Sequence, residues 1–138
     1  MVHKGLRLKF ENGVNSDVRN AFMDFSKWLR QNYEFPILVQ IYIKKCEKVQ
    51  LANGMWTYGS FWYPNSLLIE PYIRIPTGDY LERVKERGQD AALEEILSSL
   101  VHELTHYFQW INQIDQSERS SEWQANYYRY RILDLYYK

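Results

Sequence analysis

The sequence predicts an α+β fold, built as one domain over residues 1–138 with helices at both ends of a small sheet. Three observations lead there. Apolar residues recur at helical spacing in Val18, Phe22, Phe25 and Leu29, and again in Ile96, Leu100, Leu104, Phe108 and Ile111. Between these stretches, Ile37, Val39, Ile41 and Ile43 alternate with Leu38, Gln40, Tyr42 and Lys44, the period of a strand. Turn residues then punctuate the chain at Asn53-Gly54 and Pro64-Asn65-Ser66.

Taken in order, the first helix begins at Asn15-Ser16-Asp17, with Ser16 as its N-cap, and stops at Glu34-Phe35-Pro36. The residue before a proline avoids the helical region, which sets that end. Pro36 opens the alternating strand. Met55–Tyr63, rich in aromatics, reads as a second strand after the Asn53-Gly54 turn. Leu67–Ile75 reads as a third, interrupted by Pro71. Proline has no N–H to give a ladder, so this strand is expected at a sheet edge or at a bulge. The middle of the chain is thus expected to be a small antiparallel meander. Residues 80–87 form a short helix ended by Gly88, with Glu82 placed as in a capping box. A long helix runs from about Asp90 to Asn112, and a last helix follows a cap at Ser117 or Ser120.

Composition narrows the function. Hydrophobic residues make up 46% of the chain, enough to build a core. The 17 basic and 17 acidic residues cancel, and no Lys/Arg run is present, so nucleic acid is not the expected partner. No apolar stretch reaches the ~20 residues of a membrane span, and Met1–Phe10 lacks a signal-peptide core. No membrane association is expected, and the cytoplasm is the expected location. The lone Cys46 cannot form an internal disulfide. Aromatics, including 12 Tyr and 5 Trp, are expected to fill the core and its rim.

The chemistry centres on His102-Glu103-Leu104-Thr105-His106. Two histidines four residues apart lie on one helix face, a turn apart, where both rings can reach one metal ion. Glu103, one step round, can flank the ion and take a proton from an activated water. Zn²⁺ is the expected ion, and a catalytic zinc needs a third protein ligand with one position left open. Among the acidic residues that follow, Glu122 is preferred and Glu118 is second. The last helix can fold back along the motif helix and bring Glu122 to the histidines. Asn126, four residues on, could orient a ligating ring from behind.

HELTH followed by Glu122-x-x-Ala125-Asn126 resembles the gluzincin pattern, and most closely the E-x-x-A-N element of the ImmA/IrrE-type peptidases. The small size is similar to that of the minigluzincins. The resemblance covers residues 102–126 and implies a zincin-like fold. That fold has an N-terminal helix, a small antiparallel or mixed sheet of three to four strands, the motif helix and a C-terminal helix. It implies a zinc metallopeptidase, an endopeptidase in the first instance, with His102, His106 and Glu122 as ligands, Glu103 as general base and Asn126 behind the ligands. It also implies a peptide or protein substrate bound along an edge strand, for which 67–75 is the candidate. Two features depart from the pattern. Thr105 stands where these peptidases often have glycine, and no histidine follows Glu122 to stabilise an oxyanion. Tyr127 and Tyr130, which follow Glu122, are the expected substitutes, with Arg129, Tyr63 and Tyr72 behind them. A zinc-binding regulatory module that cleaves nothing is the alternative.

Overall fold

The computed structural model describes residues 3–138. Its order is β1 (Leu6–Phe10), α1 (Ser16–Asn32), β2 (Val39–Lys44), β3 (Val49–Gln50), β4 (Trp56–Thr57), β5 (Ser60–Trp62), β6 (Tyr72–Pro76), α2 (Tyr80–Arg87), α3 (Gln89–Ile111) and α4 (Glu118–Tyr137). Four helices and a four-stranded mixed sheet make this an α+β fold, with β3 and β4 forming a separate two-stranded ribbon.

The main sheet runs β1-β2-β6-β5. β1 pairs with β2 in parallel, and β2 with β6 in parallel, with Ile41 opposite Leu8 on one side and Ile73 on the other. Only β5 is antiparallel, placing Phe61 opposite Ile73. The expected antiparallel meander is therefore corrected. Parallel neighbours need a crossover, and α1 supplies one between β1 and β2. Strand β1 was not anticipated among the basic residues of the N-terminus. Its alternation is nonetheless regular, with Leu6, Leu8 and Phe10 turned inward and Arg7 and Lys9 exposed.

The third strand is corrected in both place and role. It starts at Tyr72, so Pro71 precedes the ladder and removes no hydrogen bond from it. The strand lies between β2 and β5, and the edge on that side of the sheet is β5. Leu68 and Ile69, expected within the strand, are exposed in the connection before it. The second strand also divides, into β4 and β5, around Tyr58-Gly59.

The inner sheet face carries Val39, Ile41, Ile43, Ile73 and Ile75, all fully buried. Burying each of these contributes about 1.5–3 kcal/mol relative to exposure. Against them pack Phe22 and Phe25 of α1 and Leu97, Leu100 and Leu104 of α3. Tyr107 of α3 is also fully buried, and its hydroxyl donates to the Ile37 carbonyl while accepting from the Ile37 N–H. This pairing ties α3 to the segment that leads into β2.

Caps set the helix ends. Asn15, rather than Ser16, caps α1, its side chain accepting from the Asp17 N–H at 2.8 Å. Ser117 caps α4 by accepting from the Ser120 N–H at 3.1 Å. Asp79 makes no side-chain cap bond to α2 and pairs instead with Arg83 at 2.7 Å, so the capping-box reading does not hold. Aromatics divide between the core with its rim and the solvent. Phe22, Phe25, Phe35, Tyr80 and Tyr107 are buried and seven others pack against the core, whereas Trp56, Tyr58, Trp62, Tyr63, Trp123, Tyr127, Tyr128, Tyr130 and Tyr137 are exposed. Cys46 is free and exposed. Among the described residues, no helix is long and apolar enough to cross a membrane.

Candidate metal centre

Helix α3 presents one face to the core through Ile96, Leu100 and Leu104 and another to a cleft beside β5. His102 and His106 stand on the cleft side, their ring centroids 5.0 Å apart. The chain reverses after α3 through Gln113, whose φ of 50° is left-handed. There the Gln113 N–H reaches the Trp110 carbonyl and the Ile114 N–H reaches the Gln109 carbonyl, both at 3.1 Å. These bonds satisfy carbonyls that a helix end leaves open. The Ser117 cap then starts α4, which runs back against α3.

That reversal brings Glu122 to both histidines. Its Oε2 lies 3.2 Å from His102 Nε2, and its Oε1 lies 2.9 Å from His106 Nε2. One donor atom from each of the three residues falls within a 4.8 Å cluster that could hold a metal ion. Glu118, the second choice, lines the same cleft but stands outside this cluster.

Hydrogen-bond bookkeeping behind His106 bears directly on the metal. The Ser121 main-chain oxygen can only accept, so the Gln109 atom facing it at 3.2 Å is the amide nitrogen. Gln109 Oε1 therefore faces His106 Nδ1, at 2.9 Å. Two acceptors cannot bond, so Nδ1 carries the ring proton and a neutral His106 presents a bare lone pair at Nε2. That lone pair points at a carboxylate oxygen 2.9 Å away. A proton, on the ring or on the carboxyl, or a metal ion satisfies both groups. Two imidazoles and one carboxylate, open to the cleft, could hold a metal ion.

Glu103 sits next to this cluster but outside it. It is buried, and burial pushes its carboxyl up to about 8, with the Glu122 charge adding to the rise and Arg129 opposing it. A bound cation would act in the opposite direction. Gly59 makes room for this side chain. A Cβ there would lie 3.4 Å from Glu103 Cγ and 3.5 Å from its Oε1, in close van der Waals contact. Burial lowers the His102 pKa, against the pull of Glu122, which favours the neutral ring that a ligand needs.

No protein-family model, curated protein or solved structure matches this chain.

The geometry of the site also sorts the remaining candidates. Asn126 lies near enough to favour protonation of His102, yet no well-formed hydrogen bond joins them, and His102 Nδ1 is buried without a partner. Tyr127 and Tyr130 do not line the cleft. Both are exposed on α4, where Tyr127 stacks on Trp123 at 5.2 Å and Tyr130 lies against Arg129. Tyr72 stacks on Trp62, away from the cleft, whereas Tyr63 lines it. Arg129 donates to Ser98 Oγ at 3.2 Å. Sequence reasoning missed Gln109 and Ser121. The available signals were modest: Gln109 is three residues beyond His106 on the same helix face, and Ser121 directly precedes Glu122.

Proposed function

We propose that this chain is a small zinc metallopeptidase of gluzincin type with a zincin-like fold. The observation that carries this reading is the convergence of His102, His106 and Glu122 on one point, with Glu103 buried beside them. Zn²⁺ bound there supplies Lewis acidity, polarising a scissile carbonyl and making a water nucleophilic near neutral pH. Glu103 takes the proton from that water and passes it to the leaving amine.

The cleft has a volume of about 1040 Å³ and runs between α3 and the β5 side of the sheet. An extended peptide can add to the free edge of β5 as a further strand. Phe61, Tyr63, Leu67, Trp110 and Ile114 provide apolar wall for its side chains. The expected substrate strand is thus moved from 67–75 to β5, next to the metal cluster. Tyr63 lines this cleft and is the tyrosine assigned here to stabilise a developing oxyanion.

Glu103→Gln keeps the shape of the site but removes the base. The expected outcome is a full equivalent of bound zinc with cleavage of a fluorogenic peptide library reduced about 10²–10⁴-fold. Unchanged cleavage would contradict the assignment. A second reading, a zinc-binding module that cleaves nothing, is favoured by the placement of Tyr127 and Tyr130 outside the cleft. Stoichiometric zinc in the wild type without cleavage across the library is the result that selects it.

A further inference from the structure

We propose that Gln109 is the positioning residue of the metal centre, fixing the tautomer of His106, and that Ser121 holds Gln109 in the orientation this requires. The proposal rests on the metal reading of the same histidine. Gln109 supplies none of the three ligands and meets the cluster at His106 Nδ1, so its role is exerted through that ring.

Its amide is held at both ends. Nε2 donates to the Ser121 carbonyl at 3.2 Å and to Gln124 Oε1 at 2.9 Å. Oε1 accepts from Ser121 Oγ at 2.7 Å as well as from His106 Nδ1, and Ser121 Oγ itself lies 3.1 Å from Nδ1, so with the hydroxyl proton given to Gln109 the ring N–H meets two acceptors. Gln109 is buried, so turning the amide over would set its oxygen against a carbonyl and its nitrogen against the ring N–H, with little water to compensate. The amide thus has one satisfied orientation, and that orientation leaves His106 Nε2 free to bind. Ser121 adjoins Glu122, so one segment of α4 supplies both a ligand and the clamp that prepares another ligand. Asn126, of which a similar role is expected, stands beside His102 instead.

Gln109 also lines an apolar cavity of about 320 Å³ that includes Leu104 and Phe108. A leucine at this position would meet compatible surroundings, so Gln109→Leu is expected to fold while removing the acceptor. Gln109→Glu does the reverse. It keeps an acceptor for His106 Nδ1 but loses both N–H donors, and sets a carboxylate against the Ser121 carbonyl and Gln124 Oε1.

The test combines ¹⁵N NMR of His106 in metal-free protein at about pH 9, well above the ordinary histidine pKa, with zinc titration and urea unfolding of each variant. In the wild type the ring proton is expected on Nδ1. In Gln109→Leu it is expected to move to Nε2, and zinc affinity to fall about 10–100-fold. Gln109→Glu is expected to unfold at lower urea than wild type but to keep the Nδ1–H tautomer and bind zinc within a few-fold of wild type. Ser121→Ala, which keeps the carbonyl clamp, is expected to lose less affinity than Gln109→Leu. A wild-type ring protonated on Nε2 overturns the proposal. So does an affinity loss in Gln109→Glu as large as in Gln109→Leu, because Gln109 would then be acting only through stability. Failure of the wild type to bind zinc would instead remove the metal reading, and the metal-free tautomer would still decide whether Gln109 orients His106.

Discussion

Single residues carry most of the site's chemistry, and their legibility in the sequence varied with how local their role is. His102, Glu103 and His106 could be read directly because a helix converts a spacing of four into one shared face. Gln109 and Ser121 could not be weighed in the same way, because their partners are defined only once α4 lies against α3. Tyr107 shows the same dependence on tertiary placement. It was passed over beside the motif, yet it is fully buried and bonds both main-chain groups of Ile37. Tyr107→Phe leaves that N–H and carbonyl without their partner and is expected to cost about 1–3 kcal/mol in urea unfolding. Burial also raises the Tyr107 pKa to about 12, above the ordinary tyrosine value. The folded state therefore holds this proton more tightly than the unfolded chain does. The resulting stabilisation is full below about pH 10 and is lost as pH rises through about 12. Comparing unfolding of wild type and Tyr107→Phe across that window checks the sign: the stability gap between them should narrow as pH rises.

At the scale of elements, helices were easier to read than strands. The boundaries of α2, α3 and α4 followed from periodicity, Gly88 and Ser117. The strands are short, and their pairing depends on residues far apart in the chain, such as Ile41 with Ile73. Pro71 was misread because a proline just before a strand and one inside an edge strand look alike in sequence. The decisive element for the site is the α3–α4 reversal. Gln113 occupies a left-handed position where glycine is usual, and this costs a non-glycine residue about 1–2 kcal/mol. Gln113→Gly is therefore expected to raise stability by roughly 0.5–1 kcal/mol in chemical denaturation. Ser117→Ala removes the α4 cap and is expected to lower it by about 0.5–2 kcal/mol. A loss on Gln113→Gly would mean that the reversal is set by contacts other than the backbone bonds at 109–114.

At the scale of the whole molecule, the α+β class was legible, while the direction of the strands was not. The parallel pairs β1-β2 and β2-β6 place β6 inside the sheet and leave β5 at the edge beside α3. That arrangement sets a free strand edge next to the cluster formed by α3 and α4, which no local pattern announces. The exposed aromatics are a related surprise, since composition cannot say which rings face solvent. The central claim, a metal held between two helices, is tested most directly by anomalous scattering at the zinc edge from crystals of protein loaded with zinc. The account predicts one peak per chain, bound by His102 Nε2, His106 Nε2 and the Glu122 carboxylate. Zinc-loaded crystals with no peak among these three side chains, or with zinc held only elsewhere, would contradict it.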